Sequence, residues 1–129
     1  MRDLMKEGNI SRKIQLAASS LKARMFRNNV GLFTTQDGRK IRTGLCVGSS
    51  DLIGWTRIEV TEEMVGVEIA VFTALEVKTP TGRATKEQLA FISAVRDSGG
   101  IAAVVRSAAE LHEVLKHQKT EGKDDADEI

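Results

Sequence analysis

The chain of 129 residues predicts a small α/β domain, a mixed β-sheet flanked by helices. Two observations point there. Segments of helical periodicity alternate with short runs rich in β-branched residues, and a chain of this length furnishes one core rather than two. An apolar fraction of 41% and a charged fraction of 29% fit an ordinary globular protein. Aromatics at 4% with no Tyr argue against an aromatic platform for stacking RNA bases.

The elements follow in order. Ile10, Ile14, Ala17, Ala18 and Leu21 recur at helical spacing, which predicts an amphipathic helix over 10–22 with Arg12, Lys13 and Lys22 elsewhere on the wheel. Gly8-Asn9 is expected to fray its start. "ARMFR" reads as a strand running into an Asn28-Asn29 turn, and "GLFTTQDGRKIRTGL" as a hairpin bent at Asp37-Gly38. "DLIGWTRIEV" and "VEIAVFTALEVK" read as two further strands, with "TEEMVG", ending in Gly66, as the reversal between them. A hairpin centred there pairs Leu52 with Leu75, Thr56 with Val71, Ile58 with Ile69 and Val60 with Val67, one apolar face throughout. Gly54 is a candidate bulge within it. Pro80 and Gly82 then break the chain, Thr85 opens a crossover helix closed by Gly99-Gly100, and "IAAVV" reads as a buried strand. Ser107 and Glu110 form a capping box for a last helix reaching about His117. A single domain over 1–118 is therefore expected, followed by a disordered tail over 119–129, where two basic groups face five acidic ones.

Cys46 stands alone, so an intramolecular disulfide is excluded and a small buried hydrophobe is expected. No apolar run approaches the roughly 20 residues of a membrane span, and the N-terminus lacks the apolar centre of a signal peptide, which predicts a cytoplasmic protein with no membrane partner. The net charge of +1 conceals an excess of seven basic over two acidic groups in residues 1–30. That is enough for a patch that tracks phosphates if the groups share a face.

The predicted 51–78 hairpin brings Asp51 opposite Glu76, two acids whose repulsion calls for a cation. Strand alternation sends Glu76 and Lys78 to one side and Val77 into the core. With no thiol or imidazole beside them, the carboxylates select a hard cation, Mg²⁺ or Mn²⁺, to which the Val77 carbonyl is a further candidate ligand. Phosphodiester hydrolysis suits this set. A metal polarises a phosphoryl oxygen and acidifies water, while the Lys78 ammonium orients the attacking water and steadies developing charge.

Asp51, then Glu76-Val77-Lys78, then Gln88 in the next helix resembles the D…ExK…Q signature of the PD-(D/E)xK nuclease superfamily. The wording around it, "FRNNVG", "GSSDLIG" and "FTALEVKTPTGRATKEQLAFISAVRDSGG", is similar to the small stand-alone, phage-type members of the VRR-NUC family, from about Glu7 to Ser107. The resemblance implies a restriction-endonuclease-like core and a metal-dependent DNA endonuclease. It makes Asp51 and Glu76 the metal ligands, Lys78 the catalytic lysine, Gln88 an assistant in the site, and Glu7 the family's first-helix glutamate. It also implies a homodimer acting on branched DNA such as four-way junctions, in the cytoplasm of a bacterial or phage-infected cell. Ser50 stands where the superfamily name places Pro, a position that supplies geometry more than chemistry.

Other readings compete residue by residue. Glu76 and Lys78 also fit a solvent-facing ion pair worth at most about 1 kcal/mol. Gln88 lies three residues after Thr85, as a capping box requires. Arg83 and Lys86 flank a helix start that suits a DNA phosphate, or are simply solvated. Arg27, Asn28 and Asn29 fit a backbone contact or plain turn chemistry. Trp55 fits packing or a base-stacking wedge, and Arg106 an approach to the acids or a local ion pair. His112 and His117 do not share a helix face, which argues against a ligand pair. Two further functions stay open: a non-catalytic module that binds DNA junctions, and a nuclease subunit active only within a larger replication or repair complex.

Overall fold

The computed structural model describes residues 2–116, with side chains from Glu7 onward. The predicted tail, and His117 with it, lies outside the described residues. The protein is a small mixed α/β structure, and among the described residues the strands pair as three two-stranded sheets, two antiparallel and one parallel. Its contacts divide the chain into two compact units, Met1–Glu62 and Glu63–Ile129.

In the first unit, helix α1 (Arg2–Ser20) runs unbroken through Gly8-Asn9. A glycine in a helix interior costs about 1 kcal/mol, and packing against β1 (Ala23–Arg27) offsets it. The packed face differs from the predicted one. Ala18 is buried and Gln15 half-buried, its Nε2 donating to the Met25 carbonyl at 3.2 Å, whereas Ile10, Ile14 and Leu21 are 55%, 50% and 70% exposed. A small residue and an amide that bonds the strand backbone let the helix approach where the larger side chains turn away. Strands β2 (Gly31–Thr34) and β3 (Lys40–Thr43) form the expected hairpin, with Gly38 at φ +86° in its bend. The Thr35 hydroxyl bonds to Asp37 and holds its carboxyl below the ordinary value. That contribution to the hairpin is present above the unfolded-state value and is lost as pH falls through the folded one.

Strand β4 (Leu52–Thr56) pairs antiparallel with β1, Arg27 facing Leu52 and Ala23 facing Thr56. The predicted 51–78 hairpin therefore does not form as a ladder, and no strand pairing sets Asp51 opposite Glu76. Gly66, at φ +85°, does follow a reversal, a single 3₁₀ turn over Glu62–Met64. Apolar, β-branched segments advertise strands but not their partners, and both strands found other neighbours. The ladder runs evenly through Gly54, without the suspected bulge. The glycine answers a close approach instead, for a Cβ there would run into the Arg24 carbonyl and lie 2.9 Å from the Met25 Cα.

In the second unit, β5 (Thr73–Val77) and β6 (Ile101–Val105) pair in parallel, Glu76 beside Val104. Parallel neighbours need a crossover, and helix α2 (Lys86–Asp97) supplies it, burying Ile92 and Val95 with Ala102, Ala103 and Val105 of β6. Thr85 caps α2 as expected, and Gly99 leaves it at φ +94°. At Gly100 a Cβ would sit 2.7 Å from Val95 Cγ1, so only glycine lets the chain turn from α2 straight into β6. A last helix, α3, covers residues 108–116. Its capping box closes differently from expectation: Ser107 accepts from the Glu110 amide at 3.2 Å, but the Glu110 carboxylate takes the Arg106 amide at 2.6 Å rather than that of Ser107. Cys46 is exposed rather than buried, in the loop before Asp51.

Replacing Gly54 with Ala should destabilise the protein by about 3 kcal/mol or more, because the methyl group meets backbone rather than a side chain that can swing aside. Urea unfolding monitored by circular dichroism measures this.

Candidate active site

The candidate residues fall into two groups, one per unit. In the first unit Asp51 immediately precedes β4, and its carbonyl accepts from the Asn28 amide at 2.8 Å, which carries the β1–β4 ladder one step further. Asp51 shares an open recess of about 220 Å³ with Glu7, Gly8 and Ser11 of α1, together with Arg27, Asn29 and Leu52. Four residues singled out in the sequence, Glu7, Arg27, Asn29 and Asp51, are thus brought together. Two carboxylates stand in one depression beside an arginine.

Asn28 has a different task. Its Nδ2 donates to Ser49 Oγ at 2.7 Å and to the Ser50 carbonyl at 2.9 Å, and its Oδ1 accepts from the Leu45 amide at 2.9 Å. One side chain therefore ties down the loop over 45–50 that delivers Asp51. The signal was present in retrospect: an Asn next to a strand end, with a Ser-Ser pair before an acid on the neighbouring strand.

In the second unit Glu76 and Lys78 extend from the end of β5 with Lys78 Nζ 3.6 Å from Glu76 Oε1, their side chains only 27% and 21% exposed. This is not a solvent-facing pair. Nor does Val77 point into the core, since it is 74% exposed. Helix α2 covers one face of β5, and the register places Ala74, Glu76 and Lys78 on that half-buried side. The Lys78 amide donates to the Val105 carbonyl at 3.1 Å, which anchors the lysine backbone at the sheet end.

Gln88 forms the capping box in full. Its Oε1 accepts from the Thr85 amide at 2.8 Å, and its own amide donates to Thr85 Oγ1 at 3.1 Å. It also lines a recess of about 300 Å³ with Ala74, Leu75, Glu76, Glu87, Phe91 and Ile92. The carbonyl end is committed to the cap, which fixes the side chain and leaves the amide NH₂ as its remaining donor group. Arg83 and Lys86 are exposed on either side of Thr85. The Arg106 guanidinium forms no ion pair among the described residues. Its Nη2 donates to the Gly82 carbonyl at 2.8 Å and secures the turn between Lys78 and α2, a contact across 24 residues that no local pattern announces.

Among the described residues no three His, Cys, Asp or Glu side chains assemble into a metal cage. The donor chemistry still fits a hard cation of the Mg²⁺ class, which takes one or two carboxylates and fills its remaining positions with water and substrate phosphate. Oxygen donors alone, with no thiol or imidazole in either recess, suit that class.

Residues 11–109 match the family model of the VRR-NUC domain. The chain belongs to the VRR-NUC family, and so carries a nuclease domain that acts on DNA. No curated protein and no solved structure matches it. The match includes Asp51, Glu76, Lys78 and Gln88 but begins after Glu7, which rests on the recess it shares with Asp51. No helix among the described residues is long and apolar enough to cross a membrane.

Asn28→Ala should cost about 1–3 kcal/mol, because it leaves polar groups of the 45–50 loop without partners. Amide hydrogen exchange should rise at Leu45 and through the loop, while β5 and α2 stay protected.

Proposed function

We propose that the protein is a divalent-metal-dependent DNA endonuclease, with Asp51, Glu76 and the Val77 carbonyl as ligands for Mg²⁺ or Mn²⁺ and Lys78 as the catalytic lysine. The observation that carries this reading is the half-buried Glu76–Lys78 pair at the end of β5, in a chain of a DNA nuclease family. For a pair withdrawn from water the desolvation cost offsets most of the mutual attraction, so it contributes little to stability. Two charges withdrawn from water beside a recess are better accounted for by chemistry than by folding.

A bound ion would supply Lewis acidity towards a phosphoryl oxygen and make a bound water more acidic. The protein's own groups do the rest. Lys78, held by Glu76 until substrate arrives, donates to the attacking water and to the phosphoryl oxygens as negative charge grows on them. Gln88, fixed by its cap, offers NH₂ donors to the same recess. Glu7 adds a second carboxylate beside Asp51. Arg27 and Asn29 then contact the phosphate backbone next to Asp51, and Arg83 and Lys86 do so at the start of α2. The capping box already occupies two of that helix's terminal groups, which leaves side-chain charge to do most of the work.

The preferred substrate in this reading is branched DNA, cut by a homodimer. A domain of this size with a modest basic excess gains a second patch and a second cut by two-fold pairing. Residues 1–118 then act as one nuclease domain, in line with a family match that runs through both compact units.

Purified protein with Mg²⁺ or Mn²⁺ should cut a four-way junction faster than duplex or single-stranded DNA, and chelator should stop it. Lys78→Ala should lower the cleavage rate at least about 100-fold while the melting temperature moves by no more than a few degrees. Cleavage by that variant at the parental rate would remove the mechanism. Junction binding with no cleavage under any metal would favour a binding module instead.

A further inference from the structure

One end of the β1–β4 ladder carries Asp51, Arg27 and the recess. The opposite end carries a cluster that none of the assigned roles uses. Arg24 faces Trp55 across the ladder, and Phe26 faces Ile53. The Arg24 Cζ lies 5.1 Å from the Phe26 ring centre and 5.7 Å from that of Trp55, and the two rings are 5.4 Å apart at 52°. Two rungs further, the Arg57 amide donates to the Lys22 carbonyl at 2.9 Å, which sets two more cationic residues opposite each other at the strand ends. Strand alternation puts Arg24 and Phe26 on the face away from Met25 and Arg27, the last of which lines the recess with α1.

Like charges opposed across a ladder are destabilising, and among the described residues no acid forms an ion pair with these. Arg39 pairs with Asp37 and Lys78 with Glu76, and Lys22, Arg24 and Arg57 take part in neither. The aromatic contacts decide what such a cluster is suited to hold. A guanidinium is flat and weakly hydrated. When rings cover its face, its N–H groups still project in-plane, a fork that matches phosphate oxygens. Phe26 and Trp55 thus fix Arg24 in advance, which reduces the ordering cost of binding an anion.

We infer that Arg24, with Arg57 and Lys22, forms a DNA-phosphate site on the β1–β4 sheet. The inference rests on the nuclease reading for its choice of anion. From Asp51 to Trp55 is four residues of strand, roughly 13 Å at about 3.3 Å each, or about four base steps of roughly 3.4 Å. The site therefore holds the backbone several nucleotides from the candidate acid and sets the direction in which the strand leaves it.

The test measures binding of the full chain to fluorescent duplex and four-way DNA by anisotropy, in chelator, from 50 to 200 mM salt, with cleavage assayed separately in Mg²⁺. Arg24→Gln and Arg57→Gln should each weaken binding about 3- to 10-fold and make the dependence of log K on log salt shallower by about one unit. Trp55→Ala should reproduce the Arg24→Gln loss and add little to it, whereas Arg57→Gln should add in full. Arg57→Gln changes an exposed side chain and should melt like the parent, which separates lost contact from lost fold. Unchanged affinity and salt slope in an Arg24→Gln/Arg57→Gln double variant overturns the inference and, if the parent cuts DNA, leaves the nuclease reading intact. A parent that cuts nothing but binds DNA through these residues sustains the surface and removes the nuclease reading. A parent that binds no DNA overturns both.

Discussion

The parallel pairing of β5 with β6 is the constraint from which the second unit follows. Neighbours that run the same way cannot be joined by a turn, so the chain must cross over, and α2 is the crossover. Once α2 lies on one face of β5, the two-residue alternation of the strand decides everything about Glu76, Val77 and Lys78. The acid and the lysine fall on the half-covered side and the valine on the open one. The Thr85–Gln88 cap, the Arg106 bond to Gly82 and the side-chain-free Gly100 all serve to start, hold and end that crossover within a short length of chain.

The first unit obeys a different rule. Its antiparallel β1–β4 pair is drawn together where Gly54 admits the Arg24 carbonyl, and it presents chemistry at both ends. At one end Asn28 satisfies backbone and hydroxyl groups of the 45–50 loop that would otherwise compete with it for other partners, so that Asp51 arrives beside Glu7. At the other, Arg24 lies over two aromatic rings, with Lys22 and Arg57 at the strand ends. A strand pair with acids at one end and bases at the other suits a polyanion that is contacted along its length and attacked at one place.

Much of this was legible in advance where the cause is local. The Asp37-Gly38 hairpin, the Thr85 cap with its Gln88, the glycines closing α2 and the buried "IAAVV" strand depend on side chains within a few residues of one another. Turn and capping chemistry reads such proximity directly. The Gln88 case is instructive, for the cap and the recess are not rivals: the same amide does the first with its oxygen and faces the second. The misreadings share one origin. The 51–78 hairpin, the inward Val77, the buried Cys46 and the apolar face of α1 each required knowing what lies across a gap in sequence.

Sequence by itself determined the family and the order of helices and strands, and singled out the acids, the lysine and the glutamine as candidates, because these are properties of residue type and short spacing. Tertiary structure alone decided which strand pairs with which, that Glu76 and Lys78 are withdrawn from solvent, that Glu7 and Asp51 share a recess, and that Arg24 lies over Phe26 and Trp55. The physical reason is that β-pairing and burial are contests among segments distant along the chain. A strand's own composition enters it in that contest without naming its partner.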